Sequence, residues 1–410
     1  MQGDARTSVG AHAVRPLAPP VAGRRAHAVR PYGAMAARAR RVMVVTLALT
    51  ALLLLATHPG RVAVKSVLLL PEVFSAVPIR PLTWVTPAPR REAFQFDYSV
   101  GEVVGDIYAP GASGRYGACI LILGARPLDR DDPILVRFAE GLSRAGAVVM
   151  VPASSNLAEG RILPEEVEAI VQEVALLEAR EDVDPTRIGI IGFSVGGSLA
   201  VMAAADPRLA DRLQFVNAFG GYHDARDLFR AVATHSLTYA GLDEAWEPHN
   251  LTVWVVARQI VDTLPEGTDR DILDRLFLRE DPAARDEVAA LSPTGLTMLA
   301  LLDGLPPAEA EAALALLPEV SRERLRQISP SIALEQVHTP LFVMHDIADR
   351  FIPYTESRRL VERAPSGAVE RFTQFELFDH VVPDRGLDLG LLVELSKLYR
   401  QMYEILLLVL

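Results

Sequence analysis

The chain reads as an α/β protein whose mostly parallel sheet is flanked by helices. Three observations predict it. Between residues 92 and 221, short apolar runs alternate with helix-period segments. At residues 187–200, an apolar strand enters a glycine turn that carries one serine and leaves as a small-residue helix. After a long helical stretch, strand signal returns at residues 340–345.

Taken in chain order, residues 1–41 hold eight Arg and one Asp, a net +7, so the chain's −11 leaves −18 on the rest. An acidic body excludes nucleic acid as a partner, because nothing on it would neutralise phosphates. The first 41 residues are expected to be a disordered basic leader. A start at Met35 would shorten it to an ordinary basic region. Residues 42–57 are uncharged, with Arg38, Arg40 and Arg41 before them and Arg61 and Lys65 after. This predicts a single-pass signal anchor at the cell membrane, its basic N-terminal side in the cytoplasm and the body outside. Cleavage of the segment would make the protein secreted instead.

Residues 58–91 predict an amphipathic segment followed by an extended linker, since five prolines fall between Pro71 and Pro89. Residues 92–221 and 336–410 predict the α/β core. It opens with an antiparallel pair at 93–99 and 102–109. Strands at 118–123, 147–151, 187–191 and 214–219 follow, with helices at 132–145, 164–179 and 195–205 between them. Residues 222–335 show helical period and almost no strand signal, with 251–256 readable as either. After residue 340 come a helix at 354–362, a strand at 370–378 and a long helix at 386–410. Its end, Ile405 to Leu410, is too short to span a membrane and is expected to pack on the body or to mediate self-association. Cys119 is the only cysteine, which excludes an internal disulfide; its place in an apolar strand predicts a buried core residue.

The turn Gly192-Phe193-Ser194-Val195-Gly196 between strand and helix is the G-x-S-x-G nucleophile elbow in its proper context. It would hold the Ser194 hydroxyl above the carboxyl edge of the sheet, at a helix N-terminus where the Val195 N–H points at a developing oxyanion. A serine near neutral pH needs a base, and the base needs an orienting carboxylate. With the chain order serine, acid, histidine, His380 is the candidate base, following the last strand in Leu377-Phe378-Asp379-His380. The acid should follow the strand that ends near Met344, where Asp346 and Asp349 both lie. Asp349 sits further into the loop and is favoured, with Asp346 capping the turn. The second oxyanion N–H should come from the loop beginning at Gly124, with Ala125 first and Arg126 second. The Arg126 side chain reads as a loop charge, a partner for Asp129, Asp131 or Asp132, or a clamp for an anionic group.

Through residues 187–197 and through His345-Asp346-Ile347-Ala348-Asp349-Arg350-Phe351-Ile352-Pro353, the segment 92–410 resembles α/β-hydrolases of the dienelactone-hydrolase-like and acyl-peptidase-like kind. The second stretch is similar to the family's H-G-x-x-D-x-x-V-P segment. That resemblance implies Asp349 as triad acid, leaves Asp346 where the family has glycine, and puts His380 at the catalytic histidine. Two departures stand out: Leu123-Gly124 replaces the usual His-Gly of the oxyanion strand, and serine replaces the cysteine of dienelactone hydrolases proper. In this fold, residues 222–335 fall where a helical cap is carried. The resulting expectation is a serine hydrolase, a carboxylic ester hydrolase first, acting on a small-molecule acyl substrate. It would use Ser194, His380 and Asp349, with Ala125 and Val195 N–H groups as oxyanion donors and with no cofactor or metal. The same residues serve an acyltransferase or a peptidase, and the fold also carries non-catalytic ligand-binding proteins. Oligomeric state is not written in the sequence.

Overall fold

The computed structural model describes residues 32–74, 77–126, 128–380, 382–383 and 389–410. The leader expected over residues 1–31 lies outside the described residues. The chain divides into two units, Met1–Leu53 and Leu54–Leu410. Helix α1 (Tyr32–Ala56) begins ten residues earlier than the expected anchor. Arg38, Arg40 and Arg41 therefore belong to a helix rather than to a disordered leader, since Ala and Arg are both strong helix formers. Within it, Ala37–Ala56 is long and apolar enough to cross a membrane, and it is exposed throughout.

The segment expected to be amphipathic helix plus linker is ordered against the body. In α2 (His58–Val73), Thr57 caps the Gly60 N–H at 3.2 Å. One face buries Val62, Ser66, Leu69 and Glu72. Glu72 accepts from Arg80 at 2.9 Å and from Arg137 at 3.0 Å. The prolines then lead into a single turn, α3 (Leu82–Val85), with Leu82 buried. The buried Glu72 and its two arginines tie the helix and the start of the proline-rich stretch to the body.

Strands β1 (Arg90–Tyr98), β2 (Gly101–Ala109), β3 (Tyr116–Ile122), β4 (Val148–Ser154), β5 (Val183–Phe193) and β6 (Phe215–Phe219) enter the main sheet. The helices between them are α4 (Pro133–Ala145), α5 (Ser155–Ala158), α6 (Glu166–Glu178) and α7 (Val195–Ala204). Asp132 caps α4 through the Ile134 N–H at 2.8 Å, and Gly146, at φ +113°, ends it. An insertion then carries α8 (Ala225–Thr234), the hairpin β7 (Ser236–Tyr239) and β8 (Leu242–Ala245), and α9 (Asn250–Val261). It continues through α10 (Thr268–Leu273), α11 (Pro293–Asp303), α12 (Pro307–Ala315) and α13 (Glu319–Gln327). The ambiguous stretch 251–256 is helical, because His249 Nδ1 caps the Leu251 N–H at 3.1 Å. The hairpin escaped the sequence reading: its strands have four residues each, and its turn, Ala240-Gly241, takes positive φ at both positions.

The chain returns to the sheet as β9 (Leu341–Asp346), crosses α14 (Tyr354–Arg363), adds β10 (Val369–Phe375) and ends in α15 (Leu389–Val409). The eight strands run in the order β1-β2-β4-β3-β5-β6-β9-β10. β2 is antiparallel to both its neighbours, and the other pairings are parallel. This is the α/β-hydrolase fold. The sheet is covered on both faces, and the carboxyl ends of β3, β5, β6, β9 and β10 share one edge. Ile405, Leu406 and Val409 of α15 are buried with Cys119, Leu121 and Val149, so the apolar tail packs on the body. Burial pushes the Cys119 thiol up to about 12, as suits a core residue.

Candidate active site

At the end of β5 the chain reverses through Ser194, held at φ +55° and ψ −131°. Such a backbone is sparsely populated for a residue with a side chain, and contacts on every side hold it here. The Ser194 N–H donates to Phe219 O at 2.7 Å, and the Gly197 N–H donates to Ser194 O at 2.9 Å. A Cβ on Gly192 would meet Gly196 O at 2.3 Å, and one on Gly196 would meet Ile122 O at 2.3 Å. The glycines are thus fixed by the closeness of β3, β5 and α7. Ser194 is half-buried at the α7 N-terminus.

The loop after β3 crosses directly over the serine, since a Cβ on Gly124 would lie 2.8 Å from Ser194 Cβ. Among the described residues, no carbonyl takes the N–H of Val195 or of Ala125. The Arg126 N–H is given to Leu157 O at 2.7 Å, which removes the second oxyanion candidate. Among the described residues the Arg126 side chain meets none of its three expected acidic partners: its guanidinium lies 4.7 Å from the Trp254 ring centre. Asp129 instead accepts from the Asp131 N–H, Asp131 pairs with Arg91 and Asp132 caps α4.

On the far side, β9 delivers two buried aspartates with different partners. Asp346 accepts the N–H groups of Ala348 at 2.9 Å, Leu377 at 2.6 Å and Phe378 at 2.7 Å. Asp349 Oδ1 accepts from Phe351 N at 2.7 Å and Ile352 N at 3.0 Å. Its Oδ2 lies 2.5 Å from His380 Nδ1 and 3.2 Å from His345 Nε2. Burial works to raise the Asp349 carboxyl, but the His380 imidazole and the bonds from both histidines outweigh it and hold the group well below the usual range. Asp346 goes the other way: burial raises it, and the three backbone donors only partly offset that.

His380 follows a two-residue strand at φ +58°. Because its Nδ1 faces a carboxylate, Nδ1 carries the proton and Nε2 presents a lone pair. That Nε2 is buried and has no hydrogen-bond partner among the described residues, so its bond to the Ser194 hydroxyl is not formed in this arrangement. Without substrate such bonds are often long and tighten on binding. The structure thus brings Asp349 and His380 into contact and puts Asp346 at the base of the same loop, bonded to backbone alone.

Sequence reasoning missed three participants. His345 is fully buried, with Nε2 donating to Ile352 O at 2.9 Å and Nδ1 2.5 Å from Ser357 Oγ. Phe351 stacks on His380 with ring centres 4.8 Å apart, and its other face stacks on His249 at 4.2 Å. Trp246 Nε1 donates to Asp349 O at 2.8 Å. The one signal available was position: His345 is four residues before Asp349, and Phe351 two after. His235 Nδ1 faces Glu247 at 3.3 Å.

Between the elbow and the insertion lies a cavity that opens to solvent. Ser194, Val195 and Ala125 line its floor, while α8, α9 and the end of α13 supply much of its wall.

No family model matches the chain, and no curated protein sequence matches it. Among solved structures it is similar to a 2,6-dihydroxy-pseudo-oxynicotine hydrolase, with 16% identity and a TM-score of 0.44 over 78% of this chain and 68% of that one. It is similar to an acylaminoacyl peptidase from Pyrococcus horikoshii, with 14% identity and a TM-score of 0.42 over 72% of this chain; it covers only 38% of that enzyme's length. It is also similar to Est1E from Butyrivibrio proteoclasticus, with 12% identity and a TM-score of 0.42 over 77% of this chain and 98% of that one.

Proposed function

We propose that the protein is a serine hydrolase that cleaves a carboxylic ester or related acyl bond through an acyl-enzyme. One observation carries the reading: His380 gives Nδ1 to a buried, fully bonded carboxylate and keeps Nε2 unpartnered, on the sheet edge where the elbow presents Ser194. An imidazole held in that tautomer is a ready proton acceptor.

In this reading Ser194 Oγ attacks the acyl carbon and His380 Nε2 takes the hydroxyl proton. Asp349 stabilises the imidazolium without itself taking the proton. The Val195 and Ala125 N–H groups hold the oxyanion. Collapse breaks the bond to the leaving alcohol, which receives the proton from His380. Water then gives a proton to His380 and its oxygen to the acyl carbon, releasing the acid and restoring Ser194. The insertion between β6 and β9 acts as a cap that shapes the acyl side and excludes water. Residues 42–57 act as a signal anchor, with Arg38, Arg40 and Arg41 before them on the cytoplasmic side and the hydrolase body outside.

The test is fluorophosphonate labelling of the full chain in detergent, beside Ser194→Ala and His380→Ala. Labelling that requires both residues is expected. A folded protein labelled equally in all three, or in none, overturns the reading.

A further inference from the structure

The cavity over Ser194 also bears on which acyl group is taken, an inference that rests on the reading above. Four of its lining side chains are polar: Ser194, Tyr222, Thr252 and Gln259. Three of these already give away every donor. The Tyr222 hydroxyl donates to Ile328 O at 2.9 Å, and the Thr252 hydroxyl donates to Phe351 O at 2.9 Å. The Gln259 amide donates to Gly160 O and Val255 O, both at 2.8 Å, and accepts from Ile162 N at 2.9 Å. The remaining wall is aliphatic or aromatic, with Leu228, Leu325 and Ile328 on the insertion side almost wholly buried. Apart from the serine hydroxyl and the oxyanion N–H groups, the described residues of the wall offer a bound group no free side-chain donor.

The side of the substrate follows from proton transfer. The leaving alcohol must lie within reach of His380 Nε2, which protonates it. His380 is not part of the cavity wall, whereas Ser194, Val195 and Ala125 are. The cavity therefore lies on the acyl side of the scissile bond.

We infer that the acyl group is an unsubstituted hydrocarbon chain, and that acyl groups carrying an amide, as in a peptidyl or N-acylaminoacyl substrate, are rejected. An amide entering this cavity would lose its water and find no donor for its carbonyl, whereas each added methylene gains by leaving water.

The experiment uses the full chain in detergent with esters of one fluorogenic alcohol. Butanoyl, hexanoyl and octanoyl esters are compared with the N-butanoyl-β-alanyl ester, which matches octanoyl in chain length but holds an internal amide. The specificity constant should rise about four-fold per methylene up to octanoyl. The amide-bearing ester should fall about a hundred-fold below octanoyl. Leu325→Phe and Leu228→Phe, which fill the insertion wall, should move the optimum to shorter chains. A flat length series, or an amide-bearing ester turned over as fast as octanoyl, overturns the inference. Binding of octanoate and of N-butanoyl-β-alanine to the Ser194→Ala chain, measured by calorimetry, reads the same preference without turnover. Tighter octanoate binding supports the assignment even where the hydrolase reading fails, and equal binding overturns it even where Ser194 labels.

Discussion

Asp346 and Asp349 stand three residues apart in one loop, and both are almost fully buried. Their surroundings make them opposites. Asp346 meets backbone N–H groups alone, and burial raises its carboxyl. Asp349 meets two backbone N–H groups and two imidazoles, which outweigh the same burial and hold its carboxyl low. Burial thus does not decide what a carboxylate is for. The donors around it do, and only a donor that itself can carry charge ties the carboxylate to proton transfer. Asp346 anchors the strand that leads to His380, whereas Asp349 faces His380 itself.

Substitutions separate the two roles. Ser194→Ala and His380→Ala should each lower kcat by about 10⁴-fold or more with the circular dichroism unchanged. Asp349→Asn should cost about 10⁴-fold, because an amide no longer favours the Nδ1–H tautomer. Asp346→Asn leaves the His380–Asp349 pair in place; its cost should appear as about 1–3 kcal/mol of stability, from the weakened hold on the Leu377 and Phe378 N–H groups. If denaturant melts and kinetics show the reverse assignment, the contrast between the two aspartates fails.

His345→Ala should lower kcat by about ten-fold, since Asp349 keeps three of its four donors. Trp246→Phe removes one bond from the insertion to the acid loop and should cost about 1 kcal/mol with little change in rate.

A separate effect concerns a buried acid, Glu173. Burial, with the nearby Glu166 adding to it, pushes Glu173 up from an ordinary 4.5 to about 8. Its folded form holds a proton that the unfolded chain releases. Its contribution to stability is therefore most favourable below about pH 4.5 and declines as pH rises towards 8. Glu173→Met should flatten that decline in melts taken across the window, and an unchanged slope would exclude Glu173 as its source.

Much of this was legible in the chain itself. Gly192, Ser194 and Gly196 were legible as an elbow because they stand within five positions of one another, although Phe219 and Ile122 also hold the turn. The apolar run that became part of α1 was legible as a local pattern too. Asp349 was favoured over Asp346 on loop reach and family resemblance, and the structure puts it beside His380. Contacts between distant residues were not legible. Trp246 meets Asp349 across 103 positions, and Arg137 meets Glu72 across 65. Neither periodicity nor composition carries such pairings. By itself, then, the sequence determined the α/β alternation and the glycine–serine turn, because each is written in patterns within a few residues. Only the tertiary structure decided which donors fill Asp349, what stacks on His380 and which polar groups of the cavity are already satisfied, because those depend on how distant segments pack.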